Sequence, residues 1–131
     1  MNRQRRTLLA GVAATATLGG PALAATTGAP PMYGLIGKMT AKPGQRDALI
    51  AILLDGISGM PGCLSYVVAQ DPADPQAIWI TEVWDSQASH QASLALPSVR
   101  EAIAKARPIL AGMAPGTVTT PVGGHGLVTT S

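Results

Sequence analysis

The 131-residue chain has no phenylalanine, two tryptophans, two tyrosines and one cysteine. Aromatic contacts therefore fall to Tyr33, Tyr66, Trp79 and Trp84. Cys63 has no second cysteine to pair with, which excludes an intramolecular disulfide and any CxxC site. Two readings remain for it: a small buried strand residue, or a reactive thiol. Only two histidines are present, His90 and His125, a poor basis for a metal site. No HExxH, Gly-x-Ser-x-Gly or glycine-rich phosphate loop occurs, and no apolar run is long enough to span a membrane. "PVGGHG" lacks both a strand-to-helix context and a basic residue, so it does not read as a phosphate site.

At the N-terminus, Arg3, Arg5 and Arg6 precede the short, weakly apolar stretch "LLAGVAATATLGG" and the small residues of "PALAA". This pattern predicts a removable export signal over residues 1–24, cleaved after Ala24, and leaves no membrane anchor in the mature form. Arg5-Arg6 with Leu8-Leu9 resembles a twin-arginine signal, the alternative being an ordinary secretory one. The mature chain is expected to be exported, to the periplasm or beyond. Three of the nine basic residues lie in this segment and none of the seven acids, so the rest is formally −1. The pI near 9.0 belongs to the signal and gives no support for nucleic-acid binding.

Residues 25–32 have turn composition and read as a flexible leader. From Tyr33 to Lys42 the chain alternates, Tyr33, Leu35 and Met39 against Lys38 and Thr40, which predicts a strand. After Pro43-Gly44, Leu49, Ile52, Leu53 and Ile57 form an apolar stripe at helical spacing, with Asp47 in the first turn and Gly59 at the end. "PGCLSYVVAQD" and "QAIWITEVWD", joined by the acidic loop "DPADP", predict a hairpin. A short helix capped by Asp85 or Ser86 is expected to run to about Leu96. Another follows from Pro97 with the stripe Val99, Ile103, Ala106 and Leu110, which Pro108 should kink or end early. A last short strand is expected around Thr117 to Val122, then a loose tail over 123–131 that includes His125. The order β, α, β, β, α, β predicts an α+β, ferredoxin-like split βαβ domain over 33–122. Its helices cover one face of an antiparallel sheet, and a second copy would cover the other.

Both tryptophans fall in "IWITEVWDS". Alternation puts Ile78, Ile80, Glu82 and Trp84 on one face, and Trp79, Thr81, Val83 and Asp85 on the other. A carboxylate among isoleucines and a tryptophan needs a partner, with Arg46, Lys38 and Arg107 as candidates, or it takes up a proton. Glu82 is therefore either an anchored structural acid or a poised acid or base in a cavity.

"KMTAKPGQRDAL", "MPGCLSYVVAQDP" and "IWITEVWDSQASHQASLALPSV" resemble the antibiotic biosynthesis monooxygenase family, which includes quinol monooxygenases. The resemblance covers about Tyr33 to Ala111. It implies a homodimer whose sheets form a dimeric α/β-barrel, and oxygenation of a small phenolic or quinol aromatic by molecular oxygen. It implies no metal, flavin or haem cofactor. A deprotonated, electron-rich aromatic can itself pass an electron to oxygen, so the protein need only bind it, take a proton and exclude water.

Glu82, Trp84 and His90 are then the candidate catalytic residues, with Tyr66 and Trp84 binding substrate. Each has a plainer alternative: Tyr66 and Trp84 as core aromatics, and His90 as a surface residue. If Ser86 to Leu96 is one helix, Ala88, Ala92 and Ala95 share its inner face. His90 then points toward solvent unless a pocket opens on that side. Many family members carry a histidine about nine residues beyond the strand tryptophan, where Ser93 stands here. Haem-degrading relatives need an Asn–Trp–His set, but the sole asparagine is Asn2, so haem degradation is not expected. The other function class weighed is a non-catalytic ligand-binding protein of the same dimeric fold.

Overall fold

A computed structural model describes residues 28–127; the expected export signal over 1–24, the start of the leader and the end of the tail lie outside them. Strand β1 (Tyr33–Ala41) leads into helix α1 (Arg46–Gly56), then β2 (Cys63–Gln70) and β3 (Ala77–Trp84). Two helices follow, α2 (Gln87–Ser93) and α3 (Pro97–Ala106), then a short 3₁₀ turn (Arg107–Ile109), β4 (Leu110–Met113) and β5 (Thr117–Thr119). The described strands form one antiparallel sheet in the order β2-β3-β1-β4, with β5 also on β1. This is the ferredoxin-like α+β arrangement, and within this chain the sheet is open. No helix among the described residues is long and apolar enough to cross a membrane.

Register decides which side chains share a face. Tyr33, Leu35, Gly37 and Met39 of β1 stand opposite Trp84, Glu82, Ile80 and Ile78 of β3. On the other side of β3, Tyr66 pairs with Glu82 and Val68 with Ile80. This face meets the helices. Leu49 and Leu53 of α1, Ala106 of α3 and Ile78, Ile80 and Ala41 of the sheet make the buried cluster. Gly56 lets α1 cross α3 closely, since a Cβ there would lie 2.8 Å from the Cβ of Ala102.

The C-terminal part departs from expectation. Leu110 starts a strand rather than continuing the helical stripe. Pro108 has no N–H to give and ends α3 in the 3₁₀ turn, as expected of a late proline. β4 and β5 together occupy the edge position along β1: Met39 pairs with Met113, and Gly34 with Thr119. Pro115 lies in the gap between the two pieces, where it cannot donate to the ladder. The last strand ends at Thr119, short of the expected Val122. His125 is exposed and lies in neither helix nor strand.

Candidate functional site

A cavity of about 640 Å³ lies between the helix-covered face of the sheet and the helices. Tyr66, Glu82, Trp84 and His90 all line it. Among the described residues Glu82 is the only carboxylate of its lining, in walls made mostly of leucine, isoleucine, methionine and alanine.

The site is built from β3 outward. Trp84 is 1% exposed, so its indole N–H is removed from water and needs an acceptor. Two residues back on the same face, Glu82 Oε1 accepts it at 2.8 Å. This explains the acid between the tryptophans. None of the expected cationic partners holds Glu82. Arg46 instead donates to the carbonyls of Asp71 and Asp74, at 3.4 and 3.0 Å, and so clasps the β2–β3 turn. Lys38 lies 3.7 Å from Asp71 and over the Trp79 ring. Arg107 lines the cavity without an ion pair to Glu82 among the described residues. Glu82 therefore keeps its other oxygen free of any hydrogen bond from the described residues.

His90 faces inward, against the expectation that it points to solvent. The helix that carries it is shorter than expected, seven residues from Gln87 to Ser93, with Ser86 Oγ accepting the N–H of Ser89 as its cap. Its inner face is His90 and Ser93; Ala88, Ala92 and Ala95 are exposed. Ser93, 4% exposed, donates its hydroxyl to the His90 carbonyl at 2.6 Å. The imidazole packs edge-on to Trp84 at 5.4 Å and tilted against Tyr33 at 5.2 Å between centroids. Its Nε2 stands 3.9 Å from Glu82 Oε1, beyond hydrogen-bond reach, and its Nδ1 is buried without a partner among the described residues. Tyr33, which the sequence offered only as a strand residue, is thus a neighbour of the site.

Tyr66 stands directly across from Glu82 in the β2–β3 ladder. Burial, then the Glu82 carboxylate, push its phenol well above the usual tyrosine range, so it remains a neutral hydroxyl. Cys63 is half-buried at the start of β2, where desolvation raises its thiol; it is a strand residue rather than a thiolate. Trp79 belongs to the opposite face. Its indole N–H reaches Asp71 Oδ2 at 3.0 Å; the Ala73 N–H first, and then this bond, hold Asp71 below the usual carboxylate range. Among the described residues no three His, Cys, Asp or Glu side chains cluster as a metal site would require.

Fold and cavity together define a small ferredoxin-like α+β domain whose sheet and helices enclose a site sized for a small molecule. The family model for antibiotic biosynthesis monooxygenase matches residues 32–105, and the chain belongs to that family. Its fold is that of a monooxygenase-type domain. A structure from Chloroflexus aurantiacus J-10-fl, described as a "putative Antibiotic biosynthesis monooxygenase", is 72% identical. The match covers 73% of this chain and 98% of that one, with a TM-score of 0.72. PA3566 from Pseudomonas aeruginosa is similar in fold at 20% identity and TM-score 0.65, over 73% of this chain and 99% of its own. Rv0793 from Mycobacterium tuberculosis is similar at 21% identity and TM-score 0.62, over 72% and 98%. No curated protein matches the chain.

Proposed function

We propose that the protein is a cofactor-independent monooxygenase that oxidises a small phenolic or quinol-type aromatic with molecular oxygen. The observation that carries this reading is the lone cavity carboxylate, Glu82, held by the Trp84 indole through one oxygen and free at the other. An aromatic ring laid against Tyr66, over the floor that the buried Trp84 supports, brings its hydroxyl to that free oxygen. Glu82 accepts the proton, leaving an electron-rich phenolate in a mostly apolar site. The neutral Tyr66 hydroxyl can donate to oxygen-centred charge as it develops.

For a hydroquinone the reaction balances without an external reductant. The ring gives up four electrons, one oxygen atom enters it, and the other leaves as water with two hydrogens from the substrate. The product is a hydroxyquinone.

The far face of the sheet supports a homodimer as the working form. Ile36, Val67 and Trp79 are exposed there, an apolar surface a second copy can cover.

Oxygen uptake with a panel of hydroquinones, on metal-free protein, tests the reading. Glu82→Gln preserves an oxygen for the Trp84 N–H while removing the base. Turnover is expected to fall by more than about tenfold, with the unfolding midpoint close to wild type because no buried cation is left unpaired. Normal turnover in the variant would sink the role of Glu82. Tight binding of aromatics with no oxygen consumption would instead favour a ligand-binding protein.

A further inference from the structure

We infer that Gly37 sets the length of ligand this cavity accepts, and that the substrate is a phenol or quinol carrying an apolar side chain that passes over Gly37 toward Met113. The inference rests on the proposed role of the Glu82 end as the site of the polar head.

The residues that line the cavity extend along the strands. Leu35, opposite Glu82, marks its polar end; Met39, opposite Ile78 and paired on its other side with Met113, marks the far end. The four residue steps between them span about 13 Å at roughly 3.3 Å per residue. Tyr66 and Glu82 face each other across the ladder at the first end, with His90 beside Glu82. At the second end the lining is Met39, Leu110 and Met113, with Arg107 from the turn before Leu110, and Met113 is 64% exposed. A cavity of about 150 Å³ already holds a benzene ring, so one of about 640 Å³ has room for much more than a single ring.

Gly37 lies midway. It faces Ile80 and shares the cavity side of the sheet. A Cβ built on it would meet no heavy atom within 4 Å, so the floor is open at this point. The backbone does not need glycine there: Gly37 is not among the glycines with positive φ, and it closes no turn. Glycine inside a strand weakens it. What Gly37 contributes is the space above it, which joins the Glu82 end to the Met39–Met113 end.

Calorimetric titration of the full chain with phenol and its para-ethyl, para-butyl and para-hexyl derivatives tests this without depending on turnover. In the wild type, affinity is expected to rise by up to roughly fourfold per added methylene, the effect of burying each one. Gly37→Leu should bind phenol as the wild type does and lose the increase with chain length; Gly37→Ala should fall between. An unfolding midpoint for Gly37→Leu at or above wild type shows that the loss is not misfolding. Should the leucine variant fail to fold, the alanine variant carries the comparison alone. A flat series in the wild type, or an unchanged slope in the folded variants, overturns the inference. Chain-length-dependent binding with no oxygen uptake from hydroquinones keeps the arm and removes the oxygenase; oxygen uptake with a flat series does the reverse.

Discussion

Tyr66 and Glu82 face each other across two strands, and this pairing makes the site's electrostatics measurable. The Tyr66 phenol is raised first by burial and then by the Glu82 charge. In the unfolded chain the same group ionises near its ordinary value of about 10. Below that pH both states hold the proton and the shift has no effect on stability. Above it the unfolded state loses the proton while the folded state keeps it, so stability falls as pH rises toward the folded value. Tyr66→Phe removes this dependence. The difference in unfolding midpoint between wild type and variant is therefore expected to shrink or reverse as pH rises above about 10. A difference that stays constant with pH would mean that the phenol is not shifted by its surroundings.

Among the elements, the crossing of α1 and α3 forms one wall of the cavity, with Gly56, Leu53 and Ile57 on one side and Ala102 and Ile103 on the other. Gly56 closes α1, where helix propensity alone would favour alanine by roughly 1 kcal/mol. Packing opposes it, because the added methyl would sit 2.8 Å from the Ala102 Cβ, which is fixed to its own helix and cannot turn away. Gly56→Ala is thus expected to destabilise the protein by about 1–3 kcal/mol, the usual range for overpacking, read as a lowered denaturation midpoint. A gain in stability would show that the helices separate at little cost. The seven-residue α2 is held differently. Its Ser86 cap and the Ser93 hydroxyl bond close up a helix too short to be stable alone, and packing of its His90 side sets the imidazole against Trp84.

For the whole molecule, the sheet has one covered face and one open face. Trp79 and Val67, 41% and 52% exposed, lie on the open side with Ile36. Sedimentation at micromolar concentration is expected to give a dimer, and Val67→Glu, which sets a charge in that patch, should shift it toward monomer. A monomeric wild type would leave the open face without the proposed partner. The cavity is formed by residues of one chain, so ligand binding by a monomeric Val67→Glu protein would show how much of the site one chain supplies.

Much of this was present in local pattern. Alternation over residues 78–84 placed Glu82 and Trp84 on one face and Trp79 on the other, because a strand's side chains have a period of two regardless of what covers them. Proline and glycine marked the ends of β1 and α3, because both act through the backbone of their own neighbourhood. Tertiary structure decided the rest. His90 could not be placed by periodicity: in a short helix of alanine, serine and glutamine no face is strongly apolar, so docking chose the His90–Ser93 side. Glu82's partner is an indole two residues away rather than a cation, because the turn carbonyls took Arg46 and Asp71 took Lys38. Leu110 fitted a helical stripe equally well, and only the free edge of β1 made it a strand. Gly37 stood in the sequence only as one position of the first strand; that its missing side chain opens a cavity depends on helices distant in the chain, which no local pattern encodes.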